Sequence, residues 1–448
     1  MKRFDRRDLL RLGALGAFTG HTDLFRSALR AACDAGTRAP STTASKVLFI
    51  FLRGGNDGVS TVIPFGDATY TTARTATAID PVASHPLRGT GYAKLHPRLG
   101  DMLPADAAGH IAWIHQTGMV TGSRSHFSKM QMLETAEERS EDDLAREGFV
   151  PRLRAVAAGF ESTLPAASVA LRMQRMFASA DPDRILAHIR SFNDYTLGSD
   201  LLADQLRGNL HAHFGDTATN AIDTLERATG RFMIDSEQAI ALLRPQHASA
   251  PVFDVNPPGL TPSVVGRAFL TDAEQALYLL LHSDCRVAGV DFGGFDTHRD
   301  QQAQHSLRME YLGYCMGQIY AATIGQTALD ITTVVITEFG RTAWENASQG
   351  TDHGVGALAM VQGVGVRGGV YNCASPQEFG FGSAWTPLTG SNPPPFEDAT
   401  PVATHVFTLL AELFVKRFGV SPGSQLDTII PGYSAMSGSL FTPLDYLL

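Results

Sequence analysis

Four apolar runs, each ending in a cluster of polar residues and separated by stretches of helical periodicity, predict an α/β fold. Its centre is a mostly parallel sheet with helices on both faces. Two further observations support that class. The runs are continuous, not alternating, as expected of strands buried on both faces. The chain has 448 residues, 44% of them apolar, which is enough for one large core.

The first run, KVLFIFL at residues 46–52, stops abruptly at Arg53-Gly54-Gly55-Asn56-Asp57-Gly58, the pattern of a central strand delivering its chain to a glycine-rich loop. The second, IAWIH at 111–115, ends in Gln116-Thr117-Gly118, after which Ser125-His126-Phe127 opens a helix predicted to reach about residue 137. The third, RVAGVDF at 286–292, ends in Gly293-Gly294-Phe295-Asp296-Thr297-His298. The helix after it places Met309, Leu312, Met316 and Ile319 on one side. The fourth, TVVIT at 333–337, ends in Glu338-Phe339-Gly340-Arg341-Thr342. Parallel sheets bind ligands beyond the carboxyl ends of their strands, so these loops are expected to share one rim. Residues 150–282 read as a mostly helical insertion on a single domain spanning 46–448, and the tail returns to helix at 402–417.

The formal charge of −9 is unevenly distributed. Residues 1–45 carry eight Lys/Arg against four Asp/Glu, leaving a body with 28 basic and 41 acidic side chains. Such a body is unsuited to the phosphate backbone of nucleic acid or to an anionic membrane surface. The leader itself, Lys2-Arg3-Phe4-Asp5-Arg6-Arg7 followed by a short Leu/Gly/Ala segment interrupted by Arg11, has the pattern of a twin-arginine export signal. Its apolar part is too short to span a bilayer, which takes roughly 20 residues. Residues 1–45 are therefore expected to be signal and linker, with the twin-arginine export machinery as a partner, no transmembrane helix, and a periplasmic or secreted destination. Of four cysteines, Cys33 falls in this leader, and Cys285, Cys315 and Cys373 are an odd, widely spaced set that argues against a disulfide framework or a zinc knuckle.

Metal-type ligands concentrate at the strand ends: Asp57 after the first run, Asp296 and His298 after the third, Glu338 after the fourth, and Asp352-His353 in the loop that follows. Carboxylate oxygen and imidazole nitrogen suit Zn²⁺ or Mn²⁺, and aspartate-rich sites also accept Mg²⁺ or Ca²⁺; the mixture does not choose among them. Each residue also has an ordinary role open to it, Asp57 as a cap and Asp296 as a turn residue. Ser125 stands at a helix start, where unpaired N–H groups favour an anion, and beside a divalent cation it would be a nucleophile toward phosphorus or sulfur; otherwise it is an N-cap. Arg124 can fork onto a substrate anion, and His126 can serve as ligand or proton donor. Gly363-Val364-Gly365-Val366-Arg367-Gly368 matches a dinucleotide fingerprint by letter but opens no helix, so it reads as a turn between strands.

Leu52-Arg53-Gly54-Gly55-Asn56-Asp57-Gly58, Ser125-His126-Phe127, Phe295-Asp296-Thr297-His298, Thr337-Glu338-Phe339-Gly340-Arg341-Thr342 and Gly350-Thr351-Asp352-His353-Gly354, in this order behind the leader, resemble the exported bacterial family called "domain of unknown function fifteen-hundred-and-one". That family is similar to the alkaline phosphatase and sulfatase superfamily. The resemblance implies an alkaline-phosphatase-like three-layer sandwich and one or two divalent ions. Asp57 would be the first-strand ligand, Asp296 and His298 would hold one ion, Glu338, Asp352 and His353 the other, and Ser125 would take the nucleophile position. No Cys lies near Ser125, which disfavours a formylglycine sulfatase. The expected activity is metal-dependent hydrolysis of a phosphate or sulfate ester of a small molecule or glycan. A non-catalytic binding protein on the same sheet, and a metal-free serine hydrolase with His126 or His353 as base, are the competing expectations.

Overall fold

The computed structural model describes residues 45–121, 124–138, 147–179, 181, 184–193, 221–385 and 400–448. The expected leader therefore lies outside the described residues, apart from Ser45. Its strands are β1 (Ser45–Arg53), β2 (Val62–Ile63), β3 (His85–Pro86), β4 (Lys94–Leu95), β5 (Ile111–Gly118), β6 (Ala166–Val169), β7 (Ala187–Ile189), β8 (Val287–Gly293), β9 (Asp330–Ile336), β10 (Ala357–Gln362), β11 (Gly369–Tyr371) and β12 (Thr404–His405). The principal helices are α1 (His126–Thr135), α2 (Phe149–Val156), α3 (Ala221–Ser249), α4 (Val264–His282), α5 (Gln301–Thr323) and α6 (Val406–Phe418).

Nine strands form one sheet in the order β11-β5-β10-β9-β1-β8-β6-β7, with β12 also paired to β5, while β2, β4 and β3 make a small separate sheet. β1 pairs in parallel with both β8 and β9. β10 runs antiparallel to both β9 and β5. Two reversals restore direction, so β5 points the same way as β9 and β1. The carboxyl ends of β1, β5, β8 and β9 thus open on one edge. β10, antiparallel to its neighbours in the nine-stranded sheet, contributes in the opposite sense: it is the loop before it, with Asp352 and His353, that reaches this edge.

The continuous apolar runs are explained by burial on both faces. Within β1, Leu48, Ile50 and Leu52 face a core built with Phe269, Leu270 and Leu277 of α4 and Met309, Leu312 and Met316 of α5. Val47, Phe49 and Phe51 face the opposite core, with Met132 and Leu133 of α1, Phe149 and Leu153 of α2, and Phe407, Leu410 and Phe414 of α6. Alternate side chains of one strand therefore seat two helical layers. Among the described residues no helix is long and apolar enough to cross a membrane.

The stretch 150–282 differs from the helical insertion expected of it. β6 and β7 extend the central sheet in parallel beyond β8, and α4 belongs to the main core. The physical reason is that strands of four and three residues leave too brief an apolar signature to stand out between prolines and glycines. Cys285, Cys315 and Cys373 are buried free thiols. The glycine-rich Gly363–Gly368 segment is the connection between β10 and β11, as its context predicts.

Candidate metal centre at the carboxyl edge

The loop after β1 must turn away from the sheet at once. Gly54 has φ of +113° and Gly55 φ of +78°, and a Cβ on Gly54 would come within 2.5 Å of the Asp296 backbone nitrogen. Glycine is needed here both for the left-handed backbone and for the close approach of the β8 loop. That approach delivers Asp296.

Three imidazoles gather around Asp296. His298 Nε2 is 3.1 Å and His353 Nε2 3.2 Å from Asp296 Oδ1, and His126 Nε2 is 3.4 Å away. His298 Nε2 and His353 Nε2 are themselves 3.0 Å apart. The ligand-type atoms of His126, Asp296 and His353 lie within 4.8 Å of one another. His126 Nε2 is buried and makes no hydrogen bond to the protein. The side chain of Asp296 is 49% exposed, so the cluster opens to solvent.

The remaining ring nitrogens are all held. His126 Nδ1 contacts Glu338 Oε1 at 2.7 Å, His298 Nδ1 contacts Asp352 Oδ1 at 3.0 Å, and His353 Nδ1 contacts the Arg124 carbonyl at 2.9 Å. Glu338, fully buried, is fixed by the Gly54 N–H and the Thr337 hydroxyl, and Asp352 by the Asn346 amide. Phe339 packs against the rings of both His126 and His353. An acceptor on Nδ1 fixes an imidazole's orientation and directs Nε2 to the other side, the usual support for a metal-binding histidine.

Arg341 organises the base of the cluster. Its guanidinium is buried and donates to the carbonyls of Gly54, Gly55, Phe295 and Thr351 and to Asp296 Oδ1, tying the β1, β8 and β10 loops together. Burial opposes ionisation of Asp296, but its close contacts with the three histidines and Arg341 prevail and hold its carboxyl far below the usual carboxylate range. Desolvation likewise opposes a charge on His126, yet Asp296 and Glu338 raise it to about 9. His298 is raised to about 9, chiefly by hydrogen bonds with Asp296 and Asp352. Asp352 is lowered, with the bond to His298 the main cause.

The other expected residues fall into place around this cluster. Asp57 stands apart from it, buried at the start of the turn Gly58–Thr61. Its two oxygens meet Arg74 at 2.5 and 3.1 Å, and Ser60, Gln301 and the Val59 N–H complete its shell. The charge of Arg74 overcomes complete desolvation and keeps Asp57 ionised to well below the ordinary range. Gln301 relays this buried pair to the rim by accepting from the hydroxyls of Thr297 and Thr351, neighbours of His298 and Asp352. Glu338 and Asp352 meet histidine Nδ1 atoms instead of facing the centre directly. Ser125 occupies the N-cap position of α1 without a side-chain cap bond, half-buried and one residue before His126. Arg124 lends the cluster its carbonyl.

The structure thus brings together His126, Asp296, His298 and His353, backed by Glu338 and Asp352. Sequence reasoning missed Arg341, Arg74 and Gln301 as organisers. Arg341 lay in a quoted strand-end fragment and was the one signal at hand; Arg74 and Gln301 have none.

Fold and cluster together define an α/β protein with a histidine-rich, carboxylate-backed centre at the carboxyl edge of its sheet. The chain belongs to the family described as "Protein of unknown function (DUF1501)", whose model matches residues 130–389. A solved structure of the PH0037 protein from Pyrococcus horikoshii is 14% identical and covers 72% of this chain and 87% of that one, with a TM-score of 0.29. No curated protein matches at a significant level.

Proposed function

We propose that this chain is a metal-dependent hydrolase of phosphate or sulfate esters of small molecules or glycans, with the histidine cluster as its metal centre. The observation that carries this reading is the convergence of three imidazole Nε2 atoms on Asp296 Oδ1 while every opposite ring nitrogen is held. The donor set passes a simple fit test. Ligands about 2.0–2.1 Å from one tetrahedral ion lie roughly 3.3–3.4 Å apart; the three contacts to Asp296 Oδ1 and the His298–His353 contact span 3.0 to 3.4 Å, and His126, Asp296 and His353 have ligand atoms all within 4.8 Å of one another. The buried His126 Nε2, whose nearest protein partner is Asp296 Oδ1 at 3.4 Å and which makes no well-formed hydrogen bond, supports the same conclusion. Three nitrogens and one oxygen favour Zn²⁺ or a neighbouring transition metal over Mg²⁺ or Ca²⁺.

A divalent cation bound there supplies Lewis-acid stabilisation of negative charge and lowers the pKa of a nearby hydroxyl. Ser125 is the candidate nucleophile. It stands at the N-cap position of a ten-residue helix whose dipole favours an anionic ester group. Arg124, next in the chain, is a candidate fork for that anion. Asp57, committed to Arg74, is assigned a structural role in this proposal, leaving one ion per chain. The basic leader supports export to the periplasm or beyond.

Metal analysis of the purified chain, combined with turnover of p-nitrophenyl phosphate and p-nitrophenyl sulfate, tests the proposal. It predicts about one transition-metal ion per chain, hydrolysis abolished by EDTA and restored by Zn²⁺ or Mn²⁺, and loss of turnover in Ser125→Ala. A folded chain with neither bound metal nor metal-dependent hydrolysis would refute it.

A further inference from the structure

Arg308 lies in α5 two turns beyond Gln301, and its guanidinium rests on the loop that carries Asp296. Its Nε donates to the Gly293 carbonyl at 3.1 Å. A Cβ on Gly294 would overlap Arg308 Nη2, and Gly294, with φ of +95°, leaves that space open. Asp296 is two residues further on. At roughly 3.3–3.6 Å per residue, Arg308 Nη2 is within about 11 Å of the Asp296 Cα.

Four inward-facing arginines of the sheet domain each have a carboxylate partner. Arg74 pairs with Asp57, Arg152 with Glu137, Arg341 with Asp296 and Arg417 with Asp330. Arg286, which forms no ion pair but feels the charge of Glu161, spends its donors on the carbonyls of Ser45 and Ala158. Arg308 differs from all of these. Among the described residues it meets no carboxylate, and its Nη groups make no hydrogen bond. It is half-buried, and burial lowers its pKa with no opposing charge to restore it. A guanidinium drawn partly out of water without a counter-charge is unfavourable, and an anion docked on it would reverse that cost. The planar fork suits carboxylate, phosphate or sulfate oxygens.

We propose that Arg308 is a second anion subsite on the same rim, so that the substrate carries a further anionic group on the order of 10 Å from the ester held at the histidine cluster. This deepens the hydrolase reading and rests on it for the word substrate, but the binding itself can be measured separately. The probe is fructose 1,6-bisphosphate, which has an anionic group at each end, set against p-nitrophenyl phosphate, which has one. KM and kcat are measured for both with the metal-loaded enzyme, and bisphosphate binding is measured by calorimetry on EDTA-treated protein. Arg308→Gln is expected to raise KM for the bisphosphate at least tenfold and to weaken its binding to the metal-free protein similarly. The same variant should keep wild-type kinetics on p-nitrophenyl phosphate and a wild-type melting temperature, with Arg308→Lys intermediate. Absence of bisphosphate binding by the wild type, unchanged binding by Arg308→Gln, or an equal loss on both substrates would each overturn the subsite. If the wild type hydrolyses neither compound, the hydrolase reading fails, and the binding arm still decides the role of Arg308.

Discussion

His298 and His353 hold their Nε2 atoms 3.0 Å apart while both face the single oxygen Asp296 Oδ1. They come from loops on either side of β9, and only the antiparallel course of β10 returns the second to the edge where the first is delivered. Two imidazole nitrogens at that distance compete for one proton or share one cation.

Replacing either histidine should remove a ligand without removing the fold, because both side chains are partly exposed. His298→Ala and His353→Ala are expected to bind Zn²⁺ at least 100-fold more weakly than the wild type and to melt within a few degrees of it. Competition with a chromophoric chelator and a thermal melt provide the two readouts. Wild-type affinity in both variants would remove these residues from the centre.

Glu338 and Asp352 act through the histidines they hold. Losing such an outer partner usually costs about 10–100-fold in metal affinity. Asp352→Asn should fall in that range, below the effect of removing His298 itself. Glu338→Ala should do more, since it also strips acceptors from the Gly54 N–H and the Thr337 hydroxyl. Unsatisfied buried donors cost about 1–3 kcal/mol, visible as a lower urea midpoint.

Protons and metal compete for the same nitrogens. In the metal-free chain His126 and His298 are raised to about 9, so both carry protons at pH 7. Metal binding must displace them, and affinity should therefore rise with pH from 7 to about 9 and level off above. The stability sign is opposite: a folded-state pKa above the unfolded value stabilises the empty protein below about pH 6.5, and that contribution disappears as pH rises through 9. Isothermal titration with Zn²⁺ in buffers of different ionisation enthalpy counts the released protons. Zero release at pH 7 would contradict the assignment.

The Asp57–Arg74 pair is predicted to serve stability, not metal binding. Both side chains are fully buried, and removing one partner of such a pair costs about 3–5 kcal/mol. Asp57→Asn should lose stability on that scale by urea unfolding, with metal stoichiometry unchanged in whatever fraction remains folded. Because the carboxyl is held well below its ordinary range, the wild-type contribution persists at mildly acidic pH and is lost only as pH falls through that depressed value. Loss of the metal without loss of stability would reverse this account.

Much of the scaffold was legible in the chain because strands buried on both faces leave unbroken apolar runs, and β1, β5, β8 and β9 each do so. β6 and β7 were not, since strands of four and three residues carry too little pattern. The cluster was legible as residue types at strand ends, but division of labour was not. Whether Glu338 or His126 faces the centre depends on a 2.7 Å contact between residues far apart in the chain. Asp57 looked like a ligand because it follows the central strand; its partner Arg74 gave no sequence signal.

An anomalous-difference map from crystals equilibrated with Zn²⁺, collected at the zinc edge, tests the central claim most directly. The account predicts one strong peak per chain, about 2.0–2.2 Å from Asp296 Oδ1 and from Nε2 atoms of His126, His298 and His353. A map without a peak there, with the imidazoles and Arg341 still closed on Asp296, would contradict it.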